Sequence, residues 1–257
     1  MEWKHNVSLD WLNARKEFLT ATDIVSLVPV TKTGRPRKID DTDYLKIWGK
    51  KQAISRQEDC SSTGVMARGH ILEPYAIDTF NKIYGSCFNI ELFHWDDTVV
   101  TENYDRALAF SPDAMDVPFI PGNVIRYMDD VHYIGEVKSY SPDRHMLCGY
   151  TPAGKLEERW QIAAAMAACP SIAYAYLIFF NPSVKQEMFV AEFDRHLLAD
   201  EIDMCLKVEE DWKAFLDNFD FDAGPNWYSS VSYDHEQDII EDLEKKDRLN
   251  PVKKVIK

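Results

Sequence analysis

Apolar residues fall at helix-like spacing over residues 9–28, with Thr20 and Thr22 available as N-caps, and this predicts two short helices. Another helix is expected over 43–54, where Tyr44, Ile47 and Trp48 share one face. A stronger one is expected over 69–84: Ile71, Leu72, Tyr75, Ile77, Phe80 and Ile83 form a broad apolar stripe, and Gly85 supplies the stop. The period then changes, and residues 98–101, 106–111, 124–128 and 132–138 predict strands. An alanine-rich helix follows over 154–169; Ala163, Ala164, Ala165, Ala167 and Ala168 suit close packing on a sheet, and Pro170 closes it. Residues 172–180 are continuously apolar, as in a strand covered on both faces. Residues 186–193 are expected to pair with that strand, and 195–219 to close the fold as a long helix.

Composition narrows the class. With 46% apolar and 12% aromatic residues in 257 positions, the chain can bury one sizeable core. One domain is expected over 1–227 and a charged tail over 228–257, in which 238–248 could form an amphipathic helix through Ile239, Ile240 and Leu243. The first residues lack an apolar signal core and no apolar run approaches a membrane span, so a soluble, intracellular protein without membrane association is expected. Cys60, Cys87, Cys148, Cys169 and Cys205 stand singly with no CxxC pair, and read as reduced thiols rather than zinc or iron–sulfur ligands.

The formal charge of −14 argues on its face against a nucleic-acid partner, because affinity for DNA comes mainly from lysine and arginine neutralising phosphates. The charge is uneven, however. Acids gather at Glu209, Glu210 and Asp211 and over 234–244, whereas Lys32, Arg35, Arg37, Lys38, Lys46, Lys50 and Lys51 make the first fifth locally basic. The stretch 29–38, with Pro29, Gly34 and Pro36 among four basic residues, reads as a flexible basic loop.

Candidate chemistry sits on the run at 132–138. Glu136 and Lys138, two residues apart on a strand, project to the same side. Asp113, in Ser111-Pro112-Asp113, can be brought against them by the neighbouring strand. Two carboxylates converging at one sheet edge repel each other and are costly to bury unless a cation neutralises them, so a hard divalent metal with oxygen ligands is the natural occupant. Glu136-x-Lys138 alone is a weak signal, since such a pair often forms a surface charge ladder. The ordered set is more specific: Glu73 in a helix, Asp113 at a strand end, Glu136 and Lys138 on the next long strand, Gln161 on the following helix. This order is that of the PD-(D/E)XK nuclease core, an α/β fold with a central mixed β-sheet flanked by α-helices.

More closely, the chain resembles the phage lambda exonuclease family, the YqaJ-like viral recombinases. The matching pieces are Trp11-Leu12-Asn13-Ala14-Arg15 with Leu19-Thr20-Ala21-Thr22, Arg68-Gly69-His70-Ile71-Leu72-Glu73, Ser111-Pro112-Asp113, Gly135-Glu136-Val137-Lys138 and Trp160-Gln161-Ile162-Ala163. The resemblance implies that Asp113, Glu136 and the Val137 carbonyl ligate magnesium, for which manganese can substitute, with Glu73 in or near the shell. It further implies that Lys138 orients the water nucleophile and that Gln161 hydrogen-bonds near that water. Arg15, Thr22 and Arg144 match the family's 5′-phosphate pocket. Met66, seven residues before Glu73, stands where the family places an apolar wedge between terminal base pairs. Lys32, Arg35 and Arg37 are candidate DNA contacts from the basic loop.

The activity so implied is a magnesium-dependent 5′-to-3′ exonuclease that converts one strand of linear, preferably 5′-phosphorylated duplex DNA to mononucleotides and leaves 3′ overhangs. The implied partners are two further copies in a homotrimeric ring and a single-strand annealing protein, in the cytoplasm of a bacterial host carrying the phage or prophage. Two departures stand out. Ala114 follows Asp113 where relatives often carry glycine, and 116–133 is longer than the family's shortest connection, so an extra hairpin beside the site is expected. The rival readings are a structure-specific or restriction-type endonuclease on the same core, and a non-catalytic DNA-binding recombination scaffold.

Overall fold

The chain passes through β1 (Lys4–Asn6), α1 (Leu9–Ala14), β2 (Leu19–Thr20), α2 (Ala21–Leu27), α3 (Asp41–Gln52), β3 (Ser61–Thr63) and α4 (Val65–Phe80) before its main sheet begins. The structure is a computed structural model that describes residues 4–6, 8–28, 38–52 and 61–219; the basic loop at 29–37 and the tail from 220 lie outside them. Local chemistry sets the first helices. Ser8 accepts from the Trp11 amide at the start of α1. Thr20 and Asp23 cap α2 reciprocally, each side chain accepting from the other's backbone amide.

Gly85 does not end the helix at 69–84 as expected. A π-helical stretch, Asn81–Gly85, carries α4 onward, and after a short turn of helix, α5 (Ser86–Phe88), Asn89 stops it in a left-handed conformation at φ 56°. Gly85 serves close approach instead: a Cβ there would lie 2.3 Å from the Ile90 carbonyl oxygen. Asn81 then binds both backbone groups of Leu92, donating to its carbonyl at 2.8 Å and accepting from its amide at 2.9 Å, which ties the helix end to the sheet.

Beyond this come β4 (Phe93–His94), β5 (Val99–Thr101), β6 (Leu108–Ala109), β7 (Ala114–Met115), β8 (Ile125–Tyr127), β9 (Tyr133–Lys138), α6 (Pro142–Gly149), α7 (Arg159–Ala168), β10 (Tyr174–Phe180), β11 (Met188–Asp194) and α8 (Ala199–Asn218). The largest sheet among the described residues has the order β11-β10-β9-β7-β4. It is mixed: β9 and β10 run parallel, joined through α6 and α7, and the other pairs are antiparallel. The apolar run at the end of β10 is buried from Ala175 to Phe180, as a central strand requires. Ala163 to Ala168 of α7 are likewise buried, and their small side chains let that helix pack closely.

Alternation along β9 decides what each sheet face carries. Val137 joins Leu72, Ala76, Ile77 and Phe80 of α4 in one apolar cluster with Ala114, Tyr176, Ile178 and Phe180. Glu136 and Lys138 therefore point to the opposite face, toward α7. Gly135 pairs with Ala114 across the β7–β9 ladder, and a Cβ on it would meet Leu92 Cδ1 at 3.0 Å, Ala114 Cβ at 3.3 Å and Ile178 Cδ1 at 3.4 Å. Gly135→Ala is accordingly expected to overpack this layer and cost about 1–3 kcal/mol. Urea unfolding should show a lower midpoint with an unchanged slope; an unmoved midpoint would refute the tight packing.

Residues 116–133 do not form the expected hairpin. Their one strand, β8, runs parallel to β5, with Val99 opposite Ile125 and Thr101 opposite Tyr127. The Val99 amide bonds the Val124 carbonyl at 2.8 Å and the Met128 amide bonds the Thr101 carbonyl at 3.0 Å. Pro118 and Pro121 lack the amides a self-paired ladder needs, while β5 offers an edge ready to be paired. Among the described residues no helix is long and apolar enough to cross a membrane.

Candidate active site

Strand β9 and helix α7 meet through three side chains. Lys138 donates through Nζ to Glu136 Oε1 and, at 3.0 Å, to Gln161 Oε1. Gln161 in turn donates through Nε2 to Glu136 Oε1 at 2.6 Å. The triangle is closed: each member fixes the other two, and Glu136 is buried beneath it. The turn before β7 brings Asp113 in, its Oδ2 accepting from the Val137 amide at 2.7 Å. Glu73, buried on α4, lies between two histidines, 3.2 Å from His70 Nδ1 and 3.7 Å from His94 Nε2.

These charges act on one another. Burial raises the Asp113 carboxyl well above its ordinary range, and the neighbouring Glu136 and Glu73 raise it further. Burial also works against ionised Glu73, but the hydrogen bond from His70 and the nearby His94 imidazole outweigh it and hold that carboxyl at about 2. Lys138 is the converse case: burial alone would lower it, yet Glu136 and Asp113 keep its ammonium above the usual lysine value. Among the described residues no three His, Cys, Asp or Glu side chains are grouped so as to hold a metal ion. Glu136 is turned onto Lys138 and Gln161, and Asp113 onto a backbone amide, as groups do when they neutralise one another.

Arg15 and Thr22 also come together, the guanidinium donating to the hydroxyl at 3.2 Å. Arg15 stacks over the Trp11 ring at 4.4 Å, and Trp11 Nε1 donates to Ser111 Oγ at 3.1 Å, which links this pair to the turn that carries Asp113. Lys51 secures the same loop, donating to the Arg15 carbonyl at 3.3 Å and to Asp23 Oδ2 at 2.7 Å. Arg144 is not brought into the pair. It bonds Glu158 at 3.3 Å and lies 3.9 Å over the Tyr140 ring, with no hydrogen bond or ion pair to Arg15 or Thr22. Glu158 takes both the Tyr140 hydroxyl and the Arg144 guanidinium on one carboxylate oxygen. Met66 occupies the second position of α4, with its side chain outside the described residues, as are Lys32, Arg35 and Arg37 altogether.

Sequence reasoning missed His70, His94 and Lys51 as neighbours of the site. His70 was legible, being three residues before Glu73 on one helical face. His94 and Lys51 arrive from other elements and leave no local signal.

Comparison with known proteins agrees with this architecture. Two solved structures of an alkaline exonuclease, LHK-Exo from Laribacter hongkongensis, are similar in fold. One matches at 17% identity over 82% of this chain and 95% of that chain, with a TM-score of 0.54. The other, in complex with dAMP, matches at 16% identity over the same shares and with the same TM-score. At such identities they establish the expected α/β fold, a mixed sheet with helices. No curated protein matches. A profile of the YqaJ-like viral recombinase domain matches residues 10–168. That span is more than half of the chain, and the protein belongs to the YqaJ-like viral recombinase family.

Proposed function

We propose that this protein is a divalent-metal-dependent nuclease that degrades one strand of linear duplex DNA from its 5′ end, releasing mononucleotides and leaving a 3′ overhang. The observation that carries the reading is the Glu136–Lys138–Gln161 triangle, set beside a buried Asp113 whose proton affinity is raised by burial first and then by Glu136 and Glu73. Excess negative charge on oxygen donors is what a hard divalent cation relieves. Asp113, Glu136 and the Val137 carbonyl would hold magnesium or manganese, with Glu73 in or near its shell. Such an ion supplies charge neutralisation at the phosphate and a water acidified for attack.

The chain's own groups do the positioning. Lys138, kept as an ammonium, holds and orients the attacking water and faces the charge that develops on the phosphate. Gln161 fixes Lys138 and Glu136 in register. Arg15 and Thr22 present a guanidinium and a hydroxyl suited to a terminal 5′-phosphate. The family and the alkaline-exonuclease fold support a DNA substrate; with it go a homotrimeric ring around the DNA and a single-strand annealing protein as partner, in the cytoplasm of a bacterial host, as the resemblance to lambda exonuclease implies. A ring would give processivity to a chain of net charge −14, because topology replaces affinity.

The test is digestion of a 5′-phosphorylated linear duplex, its 5′-hydroxyl twin and a closed circle, with magnesium or chelator, by protein whose oligomeric state is fixed by sedimentation. Mononucleotide release from linear DNA only, faster with the phosphate and abolished by chelator, is expected. Arg15→Ala should erase the preference for the phosphate. Cutting of the circle would replace the exonuclease with an endonuclease, metal-independent silence on all substrates would leave a scaffold, and a monomer at micromolar concentration would remove the ring.

A further inference from the structure

Immediately beyond Lys138 the strand β9 ends at a cavity of about 500 Å³, walled by Arg68, Ser139, Tyr140, Arg144, Asn181 and Ser183. Arg68 is partly buried on α4. It donates to Ser139 Oγ at 2.8 Å and to Asn181 Oδ1 at 3.1 Å, both uncharged acceptors, and among the described residues it has no carboxylate within ion-pair distance. Lys51, Arg106, Lys138 and Arg159 each reach a carboxylate, whereas Arg15, Arg126 and Arg195, like Arg68, bond neutral acceptors; what marks Arg68 is that it lines a cavity. Asn181 is rigid: it is buried, donates to the Tyr140 carbonyl at 2.9 Å and accepts from the Ser183 amide at 3.0 Å. The Arg68 fork is thus pre-set, with donors to spare.

A partly buried guanidinium is costly to leave without a counter-charge, and Arg68 lines a cavity with room for one. The opposite wall carries Arg144 stacked on Tyr140. The start of α6 contributes less, since the Asp143 carboxylate lies in its first turn. Arg15 is tied instead, through Trp11, to Ser111 in the turn that carries Asp113.

We propose that this cavity binds an internal phosphodiester of the DNA strand, with Arg68 as its counter-ion. The proposal rests on the nuclease reading and deepens it. One phosphate at Arg15 and a second at Arg68 hold the strand at two places and set its register, as two fixed points do where one allows pivoting. The cavity volume falls in the range that encloses a nucleotide-sized ligand.

The experiment measures affinity for a 5′-phosphorylated linear duplex against salt, in chelator so that nothing is cut, for wild type, Arg68→Gln and Ser183→Asp. Arg68→Gln should weaken binding about tenfold and lower the slope of log affinity against log salt by about 0.9, one phosphate contact. Ser183 is exposed and its hydroxyl makes no hydrogen bond among the described residues. Aspartate there adds repulsion without removing a contact, and should weaken binding comparably while the thermal midpoint stays put. The rate ratio between 5′-phosphate and 5′-hydroxyl substrates should match wild type in both variants. Unchanged affinity and slope in both, with wild type still cutting DNA, overturns the cavity and leaves the nuclease. Weaker binding of dAMP with unchanged duplex affinity overturns it in favour of a free nucleotide. Wild type that binds DNA without cutting it, with affinity lost in the variants, upholds the cavity while the nuclease fails; absence of DNA binding overturns both.

Discussion

Lys138→Met is expected to reduce single-turnover cleavage of linear DNA by about a thousandfold, the scale on which preorganised donors and positioned proton carriers act. Lys138 is held from two sides, by Glu136 and by Gln161 at 3.0 Å, so it has little freedom to relocate. Its protonation argues for the same role. Burial works to lower it, the fields of Glu136 and Asp113 prevail, and the ammonium persists above the ordinary value of 10.5. The stability it contributes is therefore present below 10.5 and lost as pH rises through the folded value. A group charged throughout the working range orients water and meets developing negative charge; it does not accept the water's proton. Cleavage by wild type should show no limb belonging to a lysine at neutral pH. Methionine also strands Glu136, and breaking a buried pair costs about 3–5 kcal/mol. That figure falls here because a fifth of the lysine side chain stays exposed. Circular dichroism at the assay temperature separates the two effects: a folded variant within tenfold of wild type would sink the assignment.

How far the sequence carried this picture depends on element length. β9 and β10 were legible because six and seven residues suffice to display their patterns of burial. β4 and β7, two residues each, carry no period to read, and only the ladder to β9 makes them strands. The boundary of α4 failed for a similar reason. Gly85 looks like a stop, but the Ile90 carbonyl claims the space where a Cβ would be, and Asn89 takes the left-handed position. α6 was missed because its buried residues reduce to His145 and Cys148, too few for a stripe, although Ser141 with Pro142 is a sound start signal. Within the site, Glu136, Lys138 and Gln161 converge as their order implies, whereas Arg144 pairs with Glu158, a partner its spacing does not announce. Sequence spacing sets which residues can meet; competition among partners sets which do.

Asp113→Asn should raise the thermal midpoint of chelated protein while abolishing cleavage. The Asp113 carboxyl is raised well above 3.8 by burial and by Glu136 and Glu73. A raised folded value means that the folded state holds a proton the unfolded chain releases, so stability falls as pH climbs from 3.8 through the folded value. Asparagine removes the charge and keeps an oxygen for the Val137 amide, which Asp113 engages at 2.7 Å. A gain of ~1 kcal/mol would move Tm by about 2–4 °C in a domain of this size. Glu73→Gln has the opposite sign. Its carboxyl is held at about 2, so its contribution is present above 4.5 and lost as pH falls toward 2; glutamine forfeits it at every higher pH. Opposite shifts from two carboxylates sharing one field cannot arise from general weakening of the fold. Magnesium adds the decisive arm: wild type should gain stability from the ion by mass action, and Asp113→Asn should not. A lowered midpoint for Asp113→Asn in chelator would refute the electrostatic conflict, and an undiminished response to magnesium would remove Asp113 from the metal's ligands.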